Sequence, residues 1–317
     1  MKDTAQKLFA PGKGVLAIDS LKGTVKRFTA LGLTHTPELD KKYKEILLET
    51  KGIEEFISGV ILNDLNIRQG IQVGTEMVKG IKVDEGLEDF NGGNEEATKG
   101  LIGLEDRLKD YVGMGAKFTK WRGVFRISDI YPTEPFLEEN LGRMVKFAKI
   151  SQEVGLVPIV EPEILLDGNH TITRCEEIET RVLKLLFKKL NKEGVDLTSL
   201  ILKTSMVLPG KDSGVKADSF EVAKVTVRTL KNSVPKEIVG VLFLSGGQSP
   251  DEVTQNLNEI EKNLDGFTLP VSFSFERALQ VEALEVWKGL DENIKPAREA
   301  FINRARKVSL AREGKLT

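Results

Sequence analysis

Eight short apolar runs, rich in β-branched residues, recur along the 317 residues: GVLAID (14–19), ISGVILND (57–64), KGIKVDEG (79–86), AKFTKWRG (116–123), GLVPIVEPEI (155–164), LILKTSMVL (200–208), GVLFLSGGQ (240–248) and PVSFSFER (270–277). Near-continuous apolar strands are those of a parallel sheet covered on both faces. Between them lie stretches with apolar residues three or four apart, the helical period. The clearest are LDKKYKEILLET, LEENLGRMVKFAKISQEV, CEEIETRVLKLLFKKLNKEG, SFEVAKVTVRTLKNSV, SPDEVTQNLNEIEKNL and RALQVEALEVWKGL. Ser249-Pro250 marks one helix start, and Gly194 and Gly289 mark two helix ends. Eight strands alternating with helices predict an α/β fold, a single-domain (β/α)8 TIM barrel over residues 1–317. A short N-terminal helix precedes it, and NIKPAREAFINRARKVSLAREGKLT closes it as a helix and tail whose basic excess reads as a solvated face. The link from Leu65 to Val78 is short for a full helix with two loops. A doubly wound open sheet is the rival, but no G-x-G-x-x-G follows the first run to support a dinucleotide-binding version.

Composition narrows the chemistry such a fold could carry. A 40% hydrophobic, 30% charged chain with net charge -2 has no overall field to recruit nucleic acid or membrane. No apolar stretch approaches the roughly 20 residues of a membrane span. The start, MKDTAQKLFAPGKG, lacks an apolar signal core, and the single cysteine, Cys175, fits a reducing compartment. The expectation is a cytoplasmic protein without nucleic-acid or membrane partners. Only two histidines occur, His35 and His170, which excludes an intramolecular three-histidine zinc site. If the chain is an enzyme, its chemistry must then rest on Lys, Asp, Glu and Arg.

The ionisable residues sit at the ends of the apolar runs. Asp19 ends the first and Lys82 lies in the third. Lys120 and Arg122 share one face of the fourth, Glu161 and Glu163 one face of the fifth. Lys203 interrupts the sixth, Ser245 and Gly246 close the seventh, and Arg277 closes the eighth. Singly, each has an ordinary explanation: a helix cap, a surface ion pair, a snorkelling lysine. In a barrel, however, these ends meet on one rim, where active sites are built. A lysine amine in apolar surroundings, near a second lysine, is disposed to lose its charge and attack a ketone. Glu161, Glu163 and Asp19 supply proton transfer. The SGGQS turn (245–249) followed by Arg277 has the makings of an anion site, and Lys82 with Arg27 or Lys22 could hold a second phosphate. This pattern points to a Schiff-base lyase acting on a bisphosphorylated ketose.

APGKGVLAID, AKFTKWR, GLVPIVEPEILLDGNH, LILKTSMVLPGK, FLSGGQS and SFERALQVEALEVW, in this order, resemble class I fructose-1,6-bisphosphate aldolase from about residue 7 to 315. The resemblance implies cleavage to dihydroxyacetone phosphate and glyceraldehyde 3-phosphate, in glycolysis or gluconeogenesis, without a metal. It implies that Lys203 forms the Schiff base, Glu161 is the main acid–base group, and Glu163 sits beside the lysine and helps order it. Lys120, with Arg122 as neighbour, would assist proton transfer, and Asp19 would handle the C4 hydroxyl. Lys82 would lie near C6; Ser245, Gly246 and Arg277 would bind phosphate, with Ser274, Arg27 and Thr24 as helpers. A homo-oligomer, a tetramer, is implied. The sequence also departs from the family. Leu21 replaces a phosphate-contacting serine, and Glu276 stands where a glycine amide would meet phosphate, so its side chain is expected to point away. Many relatives end in a tyrosine that helps protonate the enamine. Tyr43, Tyr111 and Tyr131 are not terminal, so the proton is expected from Glu161 or water, or from a tail that lies beyond this sequence. Fructose 1-phosphate and sedoheptulose bisphosphate stay open as alternative substrates, and a non-catalytic binding protein is the rival class of function.

Overall fold

The computed structural model describes residues 1–316. Eight parallel strands close into a barrel: β1 (Gly14–Ala17), β2 (Ile57–Leu62), β3 (Val78–Lys82), β6 (Phe118–Phe125), β7 (Val157–Ile164), β8 (Ile201–Thr204), β9 (Gly240–Phe243) and β10 (Val271–Phe275). Their order around the barrel is β1-β10-β9-β8-β7-β6-β3-β2. Each of the eight apolar runs overlaps one barrel strand, and the open sheet is excluded because β1 pairs with both β2 and β10. The remaining two strands, β4 (Leu87–Phe90) and β5 (Glu95–Thr98), form an antiparallel hairpin between β3 and β6.

Helices fill the crossovers. They are α2 (Leu21–Ala30) and α3 (Pro37–Leu48) after β1, α5 (Leu104–Gly113) before β6, α6 (Glu134–Glu153), α7 (Ile172–Lys192), α8 (Ser219–Ser233) and α9 (Pro250–Lys262). Between β2 and β3 there is only α4 (Asp64–Arg68), five residues long, as the short Leu65–Val78 link requires. The helix starts are local in origin. Thr133, Thr171, Asp218 and Ser249 each accept a backbone N–H from the first turn of α6, α7, α8 and α9, which satisfies donors the helix itself cannot. Gly194 and Gly289 follow their helices at φ 71° and 77°, a region where a side chain would be strained. The chain closes with α10 (Arg277–Trp287) and α11 (Ile294–Arg312).

Two apolar cores result. The larger lies between strands and helices. The smaller fills the barrel itself with Val15, Ala17, Ile61, Phe118, Val157, Ile159, Ile201 and Leu242, and Ala5, Leu8 and Phe9 of the N-terminal segment belong to it. The Ser58 hydroxyl donates to the Leu8 carbonyl at 2.8 Å, fastening α1 (Lys2–Lys7) and its following turn to β2.

Candidate active site

Strand side chains alternate between faces, so every second residue enters the barrel. Reading the inward residues up each strand shows how the site arises. On β7, Val157 and Ile159 lie in the inner core, and Glu161 and Glu163 follow them into a cleft. On β6, Phe118 is succeeded by Lys120 and Arg122; on β8, Ile201 by Lys203; from β1, Val15 and Ala17 by Asp19. The inner face is apolar at the N-terminal ends and ionisable at the C-terminal ends. A cleft of about 300 Å³ opens there.

The centre of the cleft is a chain of buried ion pairs. Lys203 Nζ lies 2.8 Å from Glu161 Oε1. The other Glu161 oxygen is 3.0 Å from Lys120 Nζ, which is also 2.7 Å from Asp19 Oδ2. All four residues are at most 5% exposed. Burial by itself would raise the Glu161 carboxyl, but the ammonium groups of Lys120 and Lys203 outweigh it and hold the group at about 2. Burial opposes ionised Asp19 in the same way, and the same two lysines bring it below the usual carboxylate range. Burial disfavours the Lys120 ammonium, yet Asp19 and Glu161 push its affinity for the proton well above that of an ordinary lysine. Repulsion between the two lysines, expected from sequence, is therefore met by carboxylates placed between and beside them, and Lys120 stays charged.

Around this centre stand the other cations, each in different company. Arg122 Nε donates to Glu163 Oε2 at 2.5 Å. The ion-pair partner of Lys203 is thus Glu161, while Glu163, expected to order the lysine, is held by the guanidinium that reaches it from the neighbouring strand. Lys82 lines the cleft but is paired with Asp84 at 2.6 Å and also donates to the Asp84 carbonyl at 2.7 Å. Arg277 is exposed and, among the described residues, donates only to the Gln248 carbonyl, at 3.3 Å.

Ser245, Gly246 and Gly247 form the facing wall, with Gly246 at φ 51° and Gly247 at 89°. Glycine accommodates such φ values without strain, and both residues present backbone rather than side chain. The turn is fixed by Gln248, whose N–H donates to the Ser245 carbonyl at 3.0 Å and whose side-chain oxygen accepts from Asn256 of α9 at 2.7 Å. Ser249 then starts α9 in a capping box with Glu252. Ser274 also lines the cleft, its buried hydroxyl without a hydrogen-bond partner among the described residues.

Not all sequence candidates gather here. Lys22 and Thr24 are absent from the lining. Thr24 is buried in α2, where its hydroxyl donates to the Ser20 carbonyl and accepts from Arg27. Arg27 does line the cleft, and so does Glu276, contrary to the expectation that this acid points away. The reason is their ion pair: Arg27 Nη2 donates to Glu276 Oε1 at 2.7 Å. Asp84 had no site signal in the sequence apart from standing two residues from Lys82, while Gln248 lay within the SGGQS turn without a role of its own and Glu276 was expected only to point away. The Tyr43 and Tyr111 hydroxyls lie outside the cleft, donating to the Gln280 carbonyl and to Asp64. Among the described residues no group of three His, Cys, Asp or Glu side chains is placed to hold a metal ion.

Comparison with known proteins agrees along the whole chain. The family model described as "Fructose-bisphosphate aldolase class-I" matches residues 1–317. A probable fructose-bisphosphate aldolase class 1 of Xanthomonas campestris is 41% identical over 99% of this chain and 98% of its own. The fructose-bisphosphate aldolase of Dictyostelium discoideum is 42% identical over 99% of this chain and 92% of its own. In three dimensions, fructose-bisphosphate aldolase from Plasmodium falciparum, solved in complex with TRAP and a small-molecule inhibitor, superposes with a TM-score of 0.95 at 40% identity, covering 100% of this chain and 94% of that one. Barrel, buried lysine–carboxylate centre and full-length relatives converge: the chain belongs to the class I fructose-bisphosphate aldolase family.

Proposed function

We propose that this enzyme reversibly cleaves fructose 1,6-bisphosphate to dihydroxyacetone phosphate and glyceraldehyde 3-phosphate through a Schiff base on Lys203. The observation that carries this reading is the buried contact of Lys203 Nζ with Glu161 Oε1 at 2.8 Å. A carboxylate in that position can accept the proton the amine must shed before attack. Nζ then bonds to the C2 carbonyl carbon, and the carbonyl oxygen takes up protons and leaves as water, with Glu161 as the shuttle. The resulting iminium draws in the C3–C4 electrons as the Asp19 carboxylate takes the C4 hydroxyl proton. Glyceraldehyde 3-phosphate departs, the enamine is protonated at C3 by Glu161 or water, and hydrolysis frees dihydroxyacetone phosphate. Lys120, held as an ammonium ion, steadies charge on both carboxylates. The iminium is the electron sink, so this reaction calls for no metal or cofactor.

One phosphoryl group is assigned to Ser245, Gly246, Ser274 and Arg277, the other to Lys82, with Arg27 at the edge and Thr24 behind it. Six cationic side chains against four acidic ones line the cleft, which supports a doubly phosphorylated ligand. The family relationship supports a homo-oligomeric, tetrameric enzyme working in the cytoplasm.

The test is borohydride reduction in the presence of dihydroxyacetone phosphate, followed by peptide mass analysis. The expected product is an adduct on Lys203. Lys203→Met should abolish turnover, and excess chelator should leave the wild-type rate intact. Turnover by Lys203→Met, or an active enzyme that never yields the adduct, would overturn the mechanism.

A further inference from the structure

An acidic side chain in a cleft for phosphorylated sugars needs a reason. Glu276 joins β10 to α10, and its Oε1 accepts from Arg27 Nη2 at 2.7 Å. Both residues line the cleft, and the next residue, Arg277, is its most exposed guanidinium. The carboxylate is also pressed against the first turn of α2. A Cβ built on Gly23 would stand 3.1 Å from Glu276 Oε1 and 3.3 Å from Arg27 Nη1. The start of a ten-residue helix and a guanidinium together favour an anion. Glu276 fills that place with an anion of the protein's own. The engagement is one-sided, because Arg27 uses Nη2 for Glu276 and Thr24 while its buried Nε has no acceptor among the described residues.

We propose that Glu276 is a specificity-determining residue that competes with the substrate's phosphoryl group for Arg27. In the empty cleft the carboxylate holds the guanidinium; a bound phosphoryl group takes it over, and Glu276 yields. Affinity for phosphorylated ligands is then set by the contest between two anions rather than by the number of cations present. Protons enter the contest. Burial raises the Glu276 carboxyl above the ordinary range, Asp19 at the end of β1 raises it further, and Arg27 and Lys120 oppose the rise. Tyr43 and Lys44 of α3 also feel its charge. A phosphoryl dianion that removes Arg27 from Glu276 favours the protonated acid, so binding takes up a proton.

This inference rests on the reading that the cleft accepts phosphoryl groups, and the experiment separates the two. Inorganic phosphate serves as a competitive inhibitor of wild type, Glu276→Gln and Glu276→Asp between pH 5.5 and 8. Glu276→Gln should bind phosphate at least about fivefold more tightly than wild type at pH 8, with the gap closing toward pH 5.5. Glu276→Asp, which keeps the charge, should stay near wild type. Titration calorimetry of wild type in two buffers of different ionisation enthalpy gives a second readout that needs no variant to fold. It should show proton uptake beyond that of phosphate's own ionisation. Equal or weaker phosphate binding by Glu276→Gln, a gap independent of pH, or no extra proton uptake would overturn the proposal while leaving the cleft's assignment in place. Failure of phosphate to compete in any of the proteins would overturn the assignment and the proposal together.

Discussion

Glu179 carries a carboxyl group into a place where no cation balances it. It lies on α7, 1% exposed, with one oxygen accepting from Thr204 Oγ1 at 2.9 Å and the other without a partner among the described residues. Burial pushes it up to about 8, only slightly offset by the Thr204 hydrogen bond. Glu161 is as deeply buried and lies at about 2, because two ammonium groups face it. Company rather than depth decides each charge. The consequence for stability has a definite sign. From about 4.5 to about 8 the unfolded chain has released a proton that the native Glu179 retains. Stability should fall as pH rises across that window, by at most about 1.4 kcal/mol per unit, and level off above it. Glu179→Gln removes the titration, so its urea midpoint should depend less on pH between 5.5 and 8 than the wild-type midpoint does. Identical slopes for the two proteins would contradict this account. At this scale much of the site was legible: Lys203, Glu161 and Asp19 are conspicuous because each charge interrupts or ends an apolar run. Which acid serves which base was not, since Glu161 and Glu163 are equivalent by spacing and only the reach of Arg122 separates them.

Elements carry the loops that hold these residues. One buried side chain, Arg304 of α11, ties three helices together. Its Nε donates to the Ala278 carbonyl of α10 at 2.9 Å, and its Nη atoms donate to Asp251, Thr254 and the Pro250 carbonyl of α9. Those contacts fix the starts of α9 and α10, which directly follow the Ser245–Gln248 turn and Glu276. Arg304→Ala should cost about 1–3 kcal/mol in lost hydrogen bonds, seen as a lowered melting temperature, together with a raised KM for the bisphosphate. A variant that melts with wild type would show that water replaces the guanidinium. The basic excess of this C-terminal stretch, read as a solvated face, is so for Arg306 and Lys307 but not for Arg304. The β4–β5 hairpin also escaped the sequence reading. LEDF and EEAT are short and largely polar, and only the intervening NGGN hints at a turn, with Asn91, Gly92 and Gly93 at positive φ. Its anchor is tertiary: Glu95 accepts from the backbone and hydroxyl of Thr133, the cap of α6.

The whole barrel depends on uneven filling. Gly59, Gly80 and Gly240 belong to three strands around its lower half, and side chains of other segments occupy their space. A Cβ on Gly80 would fall 2.2 Å from the Phe118 ring, one on Gly59 2.4 Å from Leu8, and one on Gly240 2.7 Å from Phe9. Phe118 in turn lies two residues below Lys120 on the same strand face. Gly80→Ala should therefore destabilise the protein by about 1–3 kcal/mol and lower kcat as the ring shifts under the catalytic layer. Thermal melting with steady-state rates checks both, and an unchanged melting point would mean that the ring re-seats freely. Periodicity along this sequence was enough to determine the number of barrel strands, the class of fold and the end of the barrel where charge collects, because burial on both faces demands apolar runs and tolerates ionisable groups only where they converge. Tertiary structure alone decided the long-range pairings: Glu161 with both lysines, Glu163 with Arg122, Glu276 with Arg27. Each pair joins residues brought together by barrel closure or loop geometry, and a spacing in one strand cannot specify which charge stands opposite on another.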